Sequence, residues 1–242
     1  MAEVAVLKGA RRDGFITAHD LSLRDVRMKA YEHVNLDLAQ GKAHAICAEN
    51  KGGKTELLLT IAGRMHPSSG ECTVDGNDVR TLRGMVATSR ETSLSFFENV
   101  NDVERVLRVR TIASAELGLA GRRSNAKATE AFLAEWDLLD FANSIIEELP
   151  RVVYDRLGIA LAMAHDPKIL CVQDIERDLT ESESLELCGM LRKLAAERGV
   201  TVVCGVLDYD LAQHFDTVTC ITDAARAQQG ISKGKRRVRE VA

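Results

Sequence analysis

The sequence lacks the features of several common protein classes. It contains no apolar run long enough to cross a membrane and no N-terminal signal-peptide pattern, so we expect a soluble, cytosolic chain. Its net charge of −4 argues against a general nucleic-acid-binding surface. Its 242 residues are enough for one large domain with a sizeable core and an inserted subdomain.

Cysteine and histidine patterns give no sign of a metal or redox centre. The six cysteines include no C-x-x-C pair, and the six histidines are scattered without ligand spacing. Four cysteines lie in predicted strands and are interpreted as buried, reduced side chains: Cys47, Cys171, Cys204 and Cys220. A metallohydrolase therefore has little support.

A phosphate-binding pattern is present at residues 48–55. The segment reads Ala-Glu-Asn-Lys-Gly-Gly-Lys-Thr and fits [AG]-x-x-x-x-G-K-[ST]. An apolar run at 43–48 leads into it and a helical run at 56–62 follows, which is the strand–loop–helix context that this motif requires. Because the backbone N–H groups of such a loop and the positive end of the next helix attract anions, we predict nucleotide binding here.

Within this loop, two residues have specific predicted roles. Lys54 is expected to reach the β- and γ-phosphates of ATP, and Thr55 is the predicted ligand of Mg²⁺. Gly52 and Gly53 allow the backbone to approach the phosphates closely. The predicted nucleotide contacts are the loop and the residue after it: Ala48, Glu49, Asn50, Lys51, Gly52, Gly53, Lys54, Thr55 and Glu56.

The rest of the chain alternates between strand-like and helix-like segments. Short apolar or alternating runs predict strands at 15–18, 34–38, 43–48, 71–74, 169–172 and 200–206. Helical spacing predicts helices at 56–62, within 99–148, at 156–164 and at 181–198. The alternation favours an α/β fold with a mostly parallel sheet.

The order of these elements resembles the nucleotide-binding domain of ATP-binding cassette (ABC) proteins over nearly the whole chain. The similar stretches follow the phosphate loop in family order: 58–63, 67–71, 75–76, 160–168 and 191–203. The resemblance implies a P-loop NTPase core with a mostly parallel sheet, an N-terminal antiparallel β subdomain and an inserted α-helical subdomain. It predicts a single domain over 1–242, with the insert at 90–148 and a basic tail at 223–242.

Several positions that carry catalysis in this family hold other residues here. The Walker B Asp-Glu pair aligns with Gln173 and Asp174, so Gln173 replaces the carboxylate that organises Mg²⁺ through water. Asp174 replaces the general base with a shorter side chain. A shift of one residue would instead make Asp174 the metal-organising residue and leave no base.

Three further family positions also differ. The LSGGQ signature aligns with residues 149–153, Leu-Pro-Arg-Val-Val, where Arg151 could still meet a phosphate and the two valines favour packing. The Q-loop glutamine, a metal ligand in the family, aligns with Arg90, and the switch histidine with Leu207, which cannot donate a hydrogen bond. The adenine-stacking aromatic aligns near Asp25, with Tyr31 as the alternative.

The resemblance implies a subunit that binds ATP and Mg²⁺, pairs with a second cassette domain as a homodimer or heterodimer, and docks on a membrane permease through its insert. It would lie in the cytoplasm at the inner face of the cell membrane and bind no nucleic acid. The substituted positions predict slow or absent hydrolysis, with a structural or regulatory role for ATP. Two alternatives stay open: an active ATPase with atypical residues, and a scaffold that no longer binds nucleotide.

Overall fold

A computed structural model describes residues 14–25, 28–48, 53–101 and 103–221. The basic tail predicted at 223–242 and loop residues 49–52 lie outside this part of the chain. The strands are β1 Ile16–Asp25, β2 Met28–Leu38, β3 Ala43–Cys47, β4 Ser69–Val74, β5 Asn77–Asp78, β6 Thr92–Leu94, β7 Ile169–Val172, β8 Thr201–Val206 and β9 Thr217–Cys220. The α-helices are α1 Lys54–Ile61, α2 Leu82–Glu91, α3 Val109–Leu119, α4 Ala126–Glu135, α5 Arg151–Met163, α6 Glu181–Arg198 and α7 Tyr209–Ala212.

Among the described residues, five strands form a parallel sheet in the order β6-β7-β8-β3-β9. Every residue of β3, β7 and β8 is buried, as expected for central strands with both faces covered. Loops at the carboxyl ends of such strands share one edge of the sheet. The loop after β3 and the loop after β7 therefore meet at that edge.

A second, antiparallel sheet combines two strands that precede β3 with two strands that follow α1. Its described strands have the order β2-β1-β4-β5, and β1 pairs with β2 so that Ile16 is opposite Leu38. The apolar residues of this sheet share a core with α1, whose Leu57, Leu58 and Ile61 are fully buried. Because α1 is packed from both sides, its N-terminus has a fixed position at the end of β3. The predicted α/β architecture with an N-terminal antiparallel sheet is confirmed.

Two local signals define α6, whose observed bounds match the predicted ones. Thr180 accepts a hydrogen bond from the Glu183 N–H and Glu183 reaches back to the Thr180 backbone, which is a capping box. Gly199 ends the helix at φ +67°, a left-handed conformation that glycine adopts without a steric penalty. Strand β7 likewise has the predicted bounds.

The predicted start of the helical insert at residue 90 is wrong. Residues Thr92–Leu94 form β6, which pairs in parallel with β7 and so belongs to the main sheet. The short strand lies directly after α2 with no glycine or proline between them, so no local sequence signal marks the end of the helix. The insert contains α3 and α4, which pack on each other, together with two 3₁₀ turns. No helix in the described ranges is long and apolar enough to span a bilayer.

Candidate functional site

The described end of the phosphate loop is held against β2 by Gly53. This residue has φ +80° and caps α1, and a Cβ atom built on it would lie 1.9 Å from the carbonyl oxygen of Ala30. A glycine is therefore required on two grounds, the left-handed backbone and the close approach. At the other end of the loop, Ala48 is buried and its N–H donates to the Val206 carbonyl at 3.3 Å.

The ammonium group of Lys54 is buried and paired. Its side chain is 2% exposed, and Nζ lies 2.8 Å from Oδ1 of Asp174, which is 18% exposed. This is a charge contact, because neither atom makes a hydrogen bond of ordinary geometry among the described residues. Asp174 follows β7 at φ +27°, an uncommon conformation for a residue with a side chain. The lysine expected to meet phosphates thus already has a counter-ion.

Gln173 connects the loop after β7 to the first turn of α1. Its Nε2 donates to Oγ1 of Thr55 at 2.8 Å, and its Oε1 accepts from the backbone N–H of Glu98 at 2.9 Å. A backbone N–H can only donate, so the amide oxygen must face Glu98 and the amide nitrogen must face Thr55. Of the two sequence registers left open, this contact favours the one with Gln173 beside the predicted metal ligand.

The donor set around Thr55 does not fit Mg²⁺. This cation prefers oxygen ligands in near-octahedral geometry, commonly including one or two carboxylates. Here the neighbour of the Thr55 hydroxyl is an N–H₂ group, and the nearby carboxylate of Asp174 faces Lys54. Within the described ranges, no cluster of three or more histidine, cysteine or acidic side chains could hold a metal. The amide of Gln173 presents an N–H₂ donor, and not an acceptor, to the hydroxyl of Thr55.

Glu176 is a site residue that the sequence reasoning missed. Its Oε1 accepts from the backbone N–H groups of Leu207 and of Asp208, the latter at 2.8 Å. The loop after β8, which carries the switch-histidine position, is therefore held by a carboxylate from the loop after β7. Leu207 is 37% exposed and brings no polar atom to this edge except its backbone. An acidic residue three positions after Gln173 was the available signal.

The segment at the signature position forms the start of α5. Pro150 is its N-cap, and the helix begins at Arg151, five residues before the predicted start. Val153 is buried in the core beneath the insert, and Val152 packs against that core, in agreement with the packing interpretation. The Nε atom of Arg151 bonds Oδ2 of Asp155 at 2.9 Å, so its charge is already compensated.

Burial also changes the acidity of Asp155. Desolvation raises the pKa of this carboxyl group from its ordinary value of 3.8 to about 6, against the opposing effect of Arg151. The carboxyl group of Asp155 is thus about half protonated at mildly acidic pH, which is consistent with a structural role at the start of α5. In the described structure, neither Asp155 nor Arg151 makes a contact with Lys54 or Thr55.

The structure corrects the assignment of Arg90. This residue is exposed near the end of α2, ahead of β6, whereas the segment that contacts Gln173 comes after that strand. That segment follows β6 and includes Glu98. Arg90 instead borders a groove of about 560 Å³ between the main domain and the insert. The groove is lined on the insert side by Ile112 and Glu116, and His165 bonds Glu116 across it at 2.6 Å.

Tyr31 cannot serve as the aromatic that stacks on a base. Its ring is 2% exposed, and its hydroxyl group is within hydrogen-bond distance of Thr60 Oγ1, at 2.8 Å. Burial strongly raises the pKa of this phenol, so it stays neutral. Tyr31 is thus part of the packing between β2 and α1. Asp25, the aligned position, closes β1, and its side chain lies outside the described part of the structure.

Comparisons with known proteins agree with the fold described above. The ABC transporter family matches residues 31–174 of the chain. The ribose import ATP-binding protein RbsA 2 of Rhizobium meliloti is 30% identical over 206 residues, which cover 81% of this chain and 39% of that protein. The phosphonates import ATP-binding protein PhnC 2 of a Synechococcus species is 28% identical, covering 77% of this chain and 73% of its own.

A solved structure shares the fold. A dimeric ATP-binding cassette in a post-hydrolysis state, bound to ADP and Pi, superposes with a TM-score of 0.72 at 21% identity, covering 86% of this chain and 94% of its own. The chain spans about two fifths of the length of the ribose relative but most of the length of the phosphonate relative and of this cassette.

Proposed function

The chain belongs to the ABC transporter family, and we propose that it is an ATP-binding subunit of a transport complex in which nucleotide is bound but hydrolysed slowly or not at all. The observation that carries the proposal is Lys54 beside Thr55 at the N-terminus of α1, directly after a left-handed Gly53. Backbone N–H groups and the helix dipole at this position favour phosphate.

The contacts around Lys54 support weak catalysis. Hydrolysis needs a group that activates water and donors that stabilise charge on the phosphates in the transition state. Asp174, the aligned base, is held by Lys54, and Leu207 offers no side-chain donor where the family has histidine. Gln173 brings an uncharged amide where active family members have a carboxylate. The positions for activating water, for organising Mg²⁺ and for contacting the γ-phosphate therefore all lack the usual group.

A membrane permease and a second cassette are the proposed partners. The curated relatives are import ATP-binding proteins, and the cassette of similar fold is a dimer. The groove between the main domain and the insert combines apolar residues with charged ones such as Arg90 and Glu116, which suits a partner segment of mixed polarity. We propose that the permease docks here, so that the chain works as an import subunit at the inner face of the membrane.

The contact between Lys54 and Asp174 also favours a second candidate function. A buried lysine with its own counter-ion needs no phosphate, so the chain could serve as a scaffold that binds no nucleotide. Under this alternative the fold would be retained for its docking surfaces alone. The two candidates differ in one property, the affinity for ATP.

Calorimetric titration with ATP separates the two candidates. We expect the wild-type chain to bind ATP and Lys54→Ala to lose most of this affinity, because the phosphates lose their main cation. Lys193→Ala is the matched control, since Lys193 is exposed on α6 and its closest carboxylate, Glu197, is 4.0 Å away. Absence of binding by the folded wild type at millimolar ATP would falsify the first candidate and support the scaffold.

A further inference from the structure

We infer that this chain binds its nucleotide as the metal-free anion, because the amide of Gln173 places hydrogen-bond donors where a cation bound to Thr55 would need acceptors. The inference rests on the proposed nucleotide binding at α1. It assigns to Gln173 the role of a specificity-determining residue that selects against a metal-complexed triphosphate.

The orientation of the Gln173 amide is fixed by its two partners. Oε1 accepts from the Glu98 N–H at 2.9 Å, and Nε2 donates to Thr55 Oγ1 at 2.8 Å. Rotating the amide by half a turn would set an N–H₂ group against the Glu98 N–H, which is a contact between two donors. The hydroxyl of Thr55 could still donate to the oxygen after that rotation, but the backbone N–H would lose its acceptor.

The partner that sets this orientation is itself held in place. Phe97, next to Glu98, is fully buried, and its N–H donates to Oδ1 of Asn101 at 2.7 Å. The Nδ2 atom of Asn101 donates to the carbonyl of Ser95 at 2.7 Å, which closes the turn after β6. The side chain of Glu98 forms an ion pair with Arg177. A turn fixed at this many points keeps the Glu98 N–H aimed at Gln173.

A cation beside Thr55 would therefore meet an unfavourable environment. The positive end of the amide dipole faces the threonine oxygen, and a metal ligated there would lie against N–H hydrogens. The carboxylate of Asp174, the residue after Gln173, is 2.8 Å from Lys54 in the free chain and is not turned to Thr55 by any contact of the described residues. Ligation of a cation by Thr55 thus requires breaking the amide contact with Gln173.

The same groups suit phosphate oxygens, which accept hydrogen bonds. Within the described part of the chain, Nε2 of Gln173 makes one hydrogen bond, so its second hydrogen remains for a ligand. Lys54 and the backbone N–H groups at the start of α1 supply the other positive partners. Charge-assisted bonds from these donors replace the neutralisation that a divalent cation gives elsewhere.

The test compares ATP affinity, measured by calorimetry, in excess Mg²⁺ and in excess EDTA. The wild type should bind ATP several-fold more tightly in EDTA than in Mg²⁺, because Mg²⁺ competes for the free anion in solution. Gln173→Glu should reverse this order and bind at least about tenfold tighter in Mg²⁺ than in EDTA. The glutamate keeps an oxygen for the Glu98 N–H and lets the Thr55 hydroxyl donate, so the local contacts are preserved. Gln213→Glu, on an exposed residue after α7, controls for the added charge.

The outcomes separate this inference from the proposed function. Wild-type binding that is as tight in Mg²⁺ as in EDTA, or tighter, overturns the inference and leaves ATP binding in place. Binding that is tighter in EDTA than in Mg²⁺ and that Lys54→Ala abolishes supports both. Should the folded wild type bind no ATP in either buffer, the proposed function and the inference both fail. Because the wild-type comparison decides alone, a Gln173→Glu variant that does not fold changes no conclusion.

Discussion

The ammonium group of Lys54 lies 2.8 Å from the carboxylate of Asp174, so the phosphate-loop lysine and the aligned catalytic base hold each other in the free chain. A nucleotide must compete with Asp174 for this lysine. Asp174 therefore opposes binding in two ways, by pairing Lys54 and by repelling phosphate.

Removing the charge of Asp174 should strengthen nucleotide binding. With Asp174→Asn, Lys54 loses its counter-ion and a negative charge near the phosphates is gone, so ATP affinity should rise roughly threefold to tenfold. The free variant should melt at a lower temperature, because a buried ammonium group is left unpaired, and ATP should restore more of its stability than in the wild type. Calorimetry and thermal melts with and without ATP measure both effects.

Asp140→Asn is the control for this prediction, since Asp140 is exposed in a 3₁₀ turn of the insert. It should change neither the affinity nor the melting temperature. A fall in ATP affinity for Asp174→Asn would mean that Asp174 helps to bind nucleotide.

A methyl group at Gly53 should disrupt the site. The Cβ atom of Gly53→Ala would lie 1.9 Å from the Ala30 carbonyl oxygen, so either β2 or the start of α1 must move. We expect a stability loss of roughly 1–3 kcal/mol beyond the cost of the left-handed backbone, together with loss of ATP binding. Urea unfolding and ATP titration provide the readouts.

Gly76→Ala is a matched control for the backbone term. Gly76 has φ +73°, close to the +80° of Gly53, but nothing lies within 4 Å of a Cβ atom built on it. The free energy of unfolding of this variant should fall by only about 1 kcal/mol, the cost of a left-handed backbone at alanine, and the variant should bind ATP normally. Equal losses of stability in the two variants would show that the close approach to the Ala30 carbonyl does not contribute to the cost.

The raised pKa of Asp155 predicts a stability trend with pH. Between its ordinary value of 3.8 and about 6, the folded chain holds the proton of this carboxyl group more tightly than the unfolded chain does. The free energy of unfolding should therefore fall as pH rises through this window, by on the order of 1–3 kcal/mol from this group. The difference in urea stability between wild type and Asp155→Asn, measured at each pH, isolates the effect. A difference that does not change between pH 4 and pH 6 contradicts it.

The valine at the end of the signature position should now be structural. Val153→Gly removes a buried side chain from the core under the insert and adds a glycine to α5. Val86→Gly, at an exposed position of α2, measures the helix-propensity cost alone. We expect Val153→Gly to cost about 2–3 kcal/mol more in urea unfolding. Similar costs would mean that this segment could be converted back to a signature without loss of packing.

The sequence predicted the elements with strong local boundaries and missed those set by tertiary contacts. Helix α6 has a capping box and a terminal glycine, and β7 is a fully buried run directly after Pro167-Lys168, so both were predicted to the residue. Strand β6 has three residues and exists because β7 offers backbone partners, which no local pattern records. Its omission moved the insert boundary and placed the Q-loop position at Arg90, ahead of the strand.

Spacing identified two residues next to the phosphate loop but gave only part of their contacts. Alignment by spacing brought Gln173 and Asp174 to the phosphate loop, where each now has a partner in the first turn of α1. The direction of the Gln173 amide depends on the Glu98 N–H, 75 positions away in the chain, and spacing gives no information about such a contact. The bonds from Glu176 to the loop after β8 were missed for the same reason.

The central claim is that nucleotide is held at Lys54 without being consumed. The direct measurement is to incubate the purified chain with ATP, remove unbound nucleotide on a desalting column, and identify what the protein retains by chromatography. The account predicts intact ATP on the wild type and almost none on Lys54→Ala. It also predicts no build-up of ADP during an incubation much longer than the turnover time of an enzyme that works at about 1 s⁻¹. Retained ADP with released phosphate, or no nucleotide on the folded wild type, would contradict it.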